Sequence, residues 1–245
     1  MLQALAGHDP LDPASANVPV PDYTAELRHG VRGLRIGYTR AFNVESEVGA
    51  EQMEALDRAA ALFTELGAEV EEVVLPPANQ FHTVGRAISH GESFSLHRRD
   101  LSTRPEAYAR VTRERLMLGA FLSSFQYVQA QRLRRILTAQ VDALFARFDA
   151  LLTAAIPAPA ARLEDVDTNA WRKQQPITTV FNVTGHPALS QPCGFAANGL
   201  PLALQLVCAP FQEARLLRTA CAYEEAAGWH LHRPVLQERS GPPQG

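Results

Sequence analysis

Residues 176–207 read PITTVFNVTGHPALSQPCGFAANGLPLALQLV, and this stretch decides the fold. Two apolar, strand-like runs, residues 189–193 and 202–209, are joined through Asn198-Gly199, a pair that accepts the left-handed backbone of a tight reversal. A hairpin with a longer loop is expected. A Gly185-His186-Pro187 corner leads into it. Downstream, residues 213–227 carry apolar positions at helical spacing and end at Gly228, which predicts an amphipathic helix and its cap. The tail after residue 238 is polar and is expected to be disordered.

Upstream of the hairpin, residues 150–154 read as a short buried strand and residues 158–171 as a loop. Residues 80–148 show little strand signal, and breaks near 103–105 and 119–124 divide them into three helices. The last, residues 125–148, points Val128, Leu133, Ile136, Leu137, Val141, Leu144 and Phe148 inward and Arg132, Arg134 and Arg135 mostly outward. Residues 34–38 suit a strand, residues 48–66 a helix capped by Gly67, and residues 70–75 a second strand stopped by Pro76-Pro77. Such a βαβ unit calls for parallel strands. Residues 8–23, dense in Pro, Asp and Ser, read as a surface connector, so the chain opens as if continuing an earlier structure.

At 245 residues and 46% hydrophobic, the chain can bury a substantial core. Its net charge of -3 argues against a nucleic-acid binder driven by bulk electrostatics. Cys193, Cys208 and Cys221 lack metal or redox spacing and read as small buried hydrophobes in a reducing compartment. The N-terminus has no basic leader, and the longest apolar tract, residues 150–161, is broken by Pro157 and Pro159. A cytoplasmic protein without a membrane segment is expected.

Several blocks of the chain resemble the amidase signature family. Gly7 to Pro13, GHDPLDP, resembles the connector that follows the family's catalytic serine loop. Residues 33–37, GLRIG, resemble the strand that opens its C-terminal half, and Leu118-Gly119 its substrate-side helix junction. Asn182, Gly185, Pro187, Ala188, Ser190, Pro192, Gly194, Gly199, Leu200, Pro201 and Gln205 complete its C-terminal hallmark. The resemblance implies an α/β fold, namely the C-terminal half of the amidase-signature mixed β-sheet flanked by helices. Residues 1–238 would then form one partial domain: connector to 30, βαβ unit 31–80, helical substrate wall 81–149, and strands, hairpin and closing helix 150–238.

It also implies hydrolysis of carboxamides through a seryl-enzyme, with no cofactor and no metal. The family's catalyst is a serine relayed through a second serine to a neutral lysine, with a Gly-rich loop holding the oxyanion. No Gly/Ser-rich serine loop exists in this chain, nor a Gly-x-Ser-x-Gly elbow. Ser123-Ser124 reads as a helix start with a serine cap, and Lys173, the only lysine, lies beside Arg172 in a polar stretch where an amine stays protonated. The catalyst is therefore expected in another chain or nowhere, and Met1 would fall just downstream of it.

Substrate-binding candidates implied by the resemblance are Arg115, Gly119, Gln175 and Asn182. Arg115 matches the arginine with which glutamine-using members, the A-type chains of tRNA-dependent amidotransferases, grip a carboxylate. Gln175 stands where those members carry an acidic residue, which favours a general amidase. Arg115 also lies among Arg98, Arg99, Arg104, Arg110 and Arg113, a pattern that solvated helix faces share. His82, His90 and His97 return to a similar helix face at a spacing too long for shared metal ligation, and are expected to line a groove or the surface. Expected partners are a small amide substrate or ligand, and either a separate N-terminal amidase half or a second copy. Two rival readings stand beside the amidase fragment: a non-catalytic binding module with a groove around Arg115, Phe125 and Asn182, and a truncated product whose bare sheet edge drives association.

Overall fold

The computed structural model describes residues 1–166 and 177–233. Within them, β1 (Arg35–Tyr38), β2 (Glu69–Glu72), β3 (Ala150–Ala154), β4 (Ala188–Phe195) and β5 (Pro201–Val207) form one mixed sheet in the order β2-β1-β3-β5-β4. β1 pairs parallel with both β2 and β3, while β5 runs antiparallel to β3 and β4. The hairpin expected across Asn198-Gly199 is present: Gly199 N–H donates to Ala196 O, and Ala196 N–H to Leu200 O. β3 is buried at every position, as its run of apolar residues requires of a central strand.

The helices are α1 (Leu2–Leu5), α2 (Arg40–Glu45), α3 (Ala50–Glu65), α4 (Ala78–Thr103), α5 (Arg110–Met117), α6 (Ser124–Leu144), α7 (Thr179–Thr184) and α8 (Glu213–Ala227). α3 packs on the sheet and on α8, and α4 to α7 pack on one another as a helical wall. Tyr38 of β1 donates to Asp57 of α3 at 2.8 Å, which pins the first strand to that helix. Ser123 caps α6 as expected. Its hydroxyl accepts from Gln126 N–H while Gln126 Oε1 accepts from Ser123 N–H, so two otherwise orphaned donors are satisfied.

The structure corrects several boundaries. The helix expected over 48–66 is α3, shorter by two residues at its start and one at its end, and an unexpected short helix, α2, precedes it directly after β1. The second strand covers Glu69–Glu72 and ends three residues early, Val73 N–H making the last backbone bond to β1 at Tyr38 O, 3.0 Å. A four-residue helix, α1, precedes the connector. On α6, Val128 and Ile136 are exposed and Arg134 is half-buried, the reverse of the expected sides. Arg134 turns inward because its Nε donates at 2.7 Å to Val183 O, a last-turn carbonyl of α7 that has no acceptor role within so short a helix. Lys173, Gln175, part of the 158–171 loop and the tail lie outside the described residues.

Candidate functional site

The helical wall encloses a cavity of about 980 Å³. α4 supplies His82, Arg86, Ser89 and Ser93, which fall at helical repeats on one face; α5 supplies Glu114 and Arg115, α6 supplies Arg134, and α7 supplies Thr179 and Asn182. Two glycines let these helices approach. A Cβ on Gly85 would lie 2.8 Å from Thr179 Cγ2, and one on Gly119 would collide with His90 O and Phe94 Cβ. Gly119 therefore seats the turn between α5 and α6 directly on the α4 backbone, behind the cavity wall.

Of the residues singled out from the sequence, Arg115 and Asn182 both line this cavity, Gly119 backs it, and Gln175 lies outside the described residues. Phe125, read as part of a groove, is exposed and does not line it. His82 and His90 do line it, whereas His97 meets Tyr108 Oη at 3.0 Å. Among the described residues no group of three His, Cys, Asp or Glu side chains could hold a metal ion. Sequence reading missed Arg86, Ser89, Ser93, Glu114, Arg134 and Thr179. The spacing of Arg86, Ser89 and Ser93 along α4 was the available signal, but it could not say what that face meets.

The cavity chemistry is that of a polar binding site. Arg86, Arg115 and Arg134 bring guanidinium groups to it, and Glu92 and Glu114 bring carboxylates. Glu92 accepts from Tyr127 Oη at 2.8 Å, and Gln131 donates to the same hydroxyl at 2.9 Å, tying α6 to α4. Burial holds the His82 imidazole below its ordinary range with help from Arg86, and burial with Arg115 and Arg86 does the same for His90. Both rings are neutral near pH 7 and can accept or donate one hydrogen bond.

Outside the cavity, His186 is buried where α6, α7 and β4 meet, stacked on Phe145 at 5.1 Å. Its Nδ1 meets Thr184 Oγ1 at 2.8 Å, and its Nε2 lies 3.0 Å from Asp142 Oδ1, an ion-pair distance without hydrogen-bond alignment. Burial lowers its pKa, against an opposing pull from Asp142.

All three imidazoles are shifted downward. The unfolded chain holds more protons than the folded one between each lowered pKa and the ordinary value near 6.5, and stability therefore rises with pH across that window. Thermal melts should give a lower midpoint at about pH 5.5 than at about pH 7.5. Equal midpoints would show that these rings are not held neutral by the fold.

A mixed sheet flanked by helices is what the family resemblance called for, and the chain belongs to the Amidase family, whose sequence profile matches residues 1–217. It is 37% identical over 248 residues to an amidase of Pseudomonas putida, covering 96% of this chain and 52% of that protein. It is 36% identical over 264 residues to the A-type chain of the glutamyl-tRNA(Gln) amidotransferase of Moorella thermoacetica, covering 96% and 53%. Among solved structures it resembles, at TM-score 0.80 and 30% identity, a chain from a vestigial complex linked to the origin of an s-triazine catabolic enzyme, over 92% of this chain and 50% of that one. The chain thus spans about half the length of the relatives it matches. The mixed sheet with flanking helices is the amidase-signature arrangement that the sequence implied. No helix among the described residues is long and apolar enough to cross a membrane.

Proposed function

We propose that this chain is the substrate-side half of a carboxamide hydrolase and works only with a half that carries the serine catalyst. The observation that carries this reading is the pairing of a family match over residues 1–217 with a polar cavity lined by Arg115 and Asn182, in a chain with no Gly/Ser-rich serine loop. In the proposed reaction a serine oxygen of the completing half attacks the amide carbon and the C–N bond breaks. The nitrogen leaves protonated as ammonia or an amine, and water then releases the acid from the seryl-enzyme. Arg115 and Asn182, which line the cavity, hold the polar part of the substrate, Gly119 lets the wall close up, and Gln175 is proposed as a further substrate-binding residue. The cytoplasm is the proposed compartment, supported by three free cysteines.

The test is an ammonia-release assay with acetamide, benzamide and glutamine. The chain alone should release no ammonia above buffer. Mixed with the portion of the Pseudomonas putida amidase that it does not match, it should restore hydrolysis. Turnover by the chain alone at ordinary enzyme rates of about 1 per second or more would sink the two-half reading. Preference for glutamine over simple amides would favour the amidotransferase branch, which the 36% identity to the Moorella thermoacetica protein supports.

A further inference from the structure

α7 brings Thr179 and Asn182 to the cavity, and at six residues it is too short to hold a helical conformation by itself. Its position is set by what grips it. α6 grips it from two residues a little over two turns apart. One is Arg134, through the Val183 carbonyl described above. The other is Asp142, which acts through His186, the residue after the Gly185 that ends α7. The His186 side chain is fully buried, whereas Asp142 is half exposed. With a carboxylate 3.0 Å from Nε2 the ring carries its hydrogen there, which leaves Nδ1 to accept from the Thr184 hydroxyl. Thr184 is the last residue of α7, two positions after Asn182. The imidazole therefore joins the last turn of α7 to α6, although it does not itself line the cavity.

We propose that His186 is a positioning residue for the cavity: held between Asp142 and Thr184, it fixes the last turn of α7 and thereby the place of Asn182. That Asn182 contacts a substrate amide rests on the reading above; the link from the ring to Asn182 does not. The neutral ring is the working state. A proton on Nδ1 forces that nitrogen to donate, so the Thr184 hydroxyl has to turn and accept instead. Asp142 is the charge that faces the ring from α6, while α7 and residues 188–191 of β4 carry no ionisable side chain. Cys208, whose N–H donates to Pro187 O, stays an uncharged thiol, because burial pushes its pKa up to about 12. Phe145 covers a face of the ring and adds no charge.

Nuclear magnetic resonance of the full chain reads this link without any completing half. Between about pH 5 and pH 8 the Asn182 side-chain amide should shift with the same midpoint as the His186 ring. Asp142→Asn removes the charge that pulls the His186 midpoint up, so both midpoints should move down together, with those of His82 and His90 unchanged. An Asn182 signal that ignores the His186 midpoint, or stays put in Asp142→Asn, overturns the inference. The second readout is benzamide hydrolysis by the chain mixed with the unmatched portion of the Pseudomonas putida amidase. His186→Phe keeps an aromatic ring against Phe145 and loses both polar contacts. It should raise KM about tenfold with kcat within about twofold of wild type, and His186→Gln, which keeps a donor and an acceptor, should recover most of that loss. An unchanged KM in His186→Phe, or equal losses in KM and kcat that His186→Gln does not recover, also overturns it. A mixture that never hydrolyses benzamide while Asn182 still follows the ring removes the two-half reading and leaves the link standing.

Discussion

Gly119→Ala is expected to destabilise the chain by about 3 kcal/mol or more, a fall in melting midpoint on the order of 10 °C. The added methyl would collide with His90 O and Phe94 Cβ, and the first of these is backbone that no rotamer change can move. Relief requires the turn over Leu118–Phe121 to lift off α4, and that turn carries Leu118 and follows Arg115 at the cavity. The same substitution should therefore reshape the cavity and weaken any ligand held there. A midpoint within about 2 °C of wild type would show that the two helices are not in close contact.

Gln52→Ala should cost about 2–4 kcal/mol in stability, far from the cavity. Gln52 is 1% exposed on α3 and clamps β5 with both ends of its amide: Nε2 donates to Ala203 O at 3.0 Å, and Oε1 accepts from Ala203 N at 3.3 Å. Ala203 O also accepts from Ala155 N, so the substitution strands the Ala203 N–H rather than the carbonyl, and leaves a void besides. Gln52→Met keeps the volume and loses only the hydrogen bonds, so it should cost about 1–3 kcal/mol. Denaturant melts of both variants separate the contributions, and equal stability of Gln52→Ala and wild type would remove the clamp from the account.

The hairpin was legible because Asn198-Gly199 sits between two apolar runs, and α8 because its apolar period ends at a glycine. The strand over residues 150–154 was legible because a short run apolar on both faces has to be central. The α6 start was written in a local pattern, Ser123 with Gln126 three residues on. α2 was missed because six residues offer less than two turns of periodicity, and Asn43, buried there, takes its place from Thr153, whose hydroxyl donates to it at 2.7 Å across the sheet. Arg134 was misplaced for a similar reason. An arginine on a helix reads as solvated until the chain brings an unpaired carbonyl such as Val183 O beside it.

The sequence by itself determined the family, the order of the strands and of the longer helices, and the lack of a serine loop in this chain, since each depends on neighbours along the chain or on a contiguous motif. Tertiary structure alone decided which residues share the cavity, why Gly119 admits no side chain, and what surrounds His186. Those properties arise where segments far apart in sequence touch. Periodicity gives a helix an apolar face, but only packing determines what that face meets.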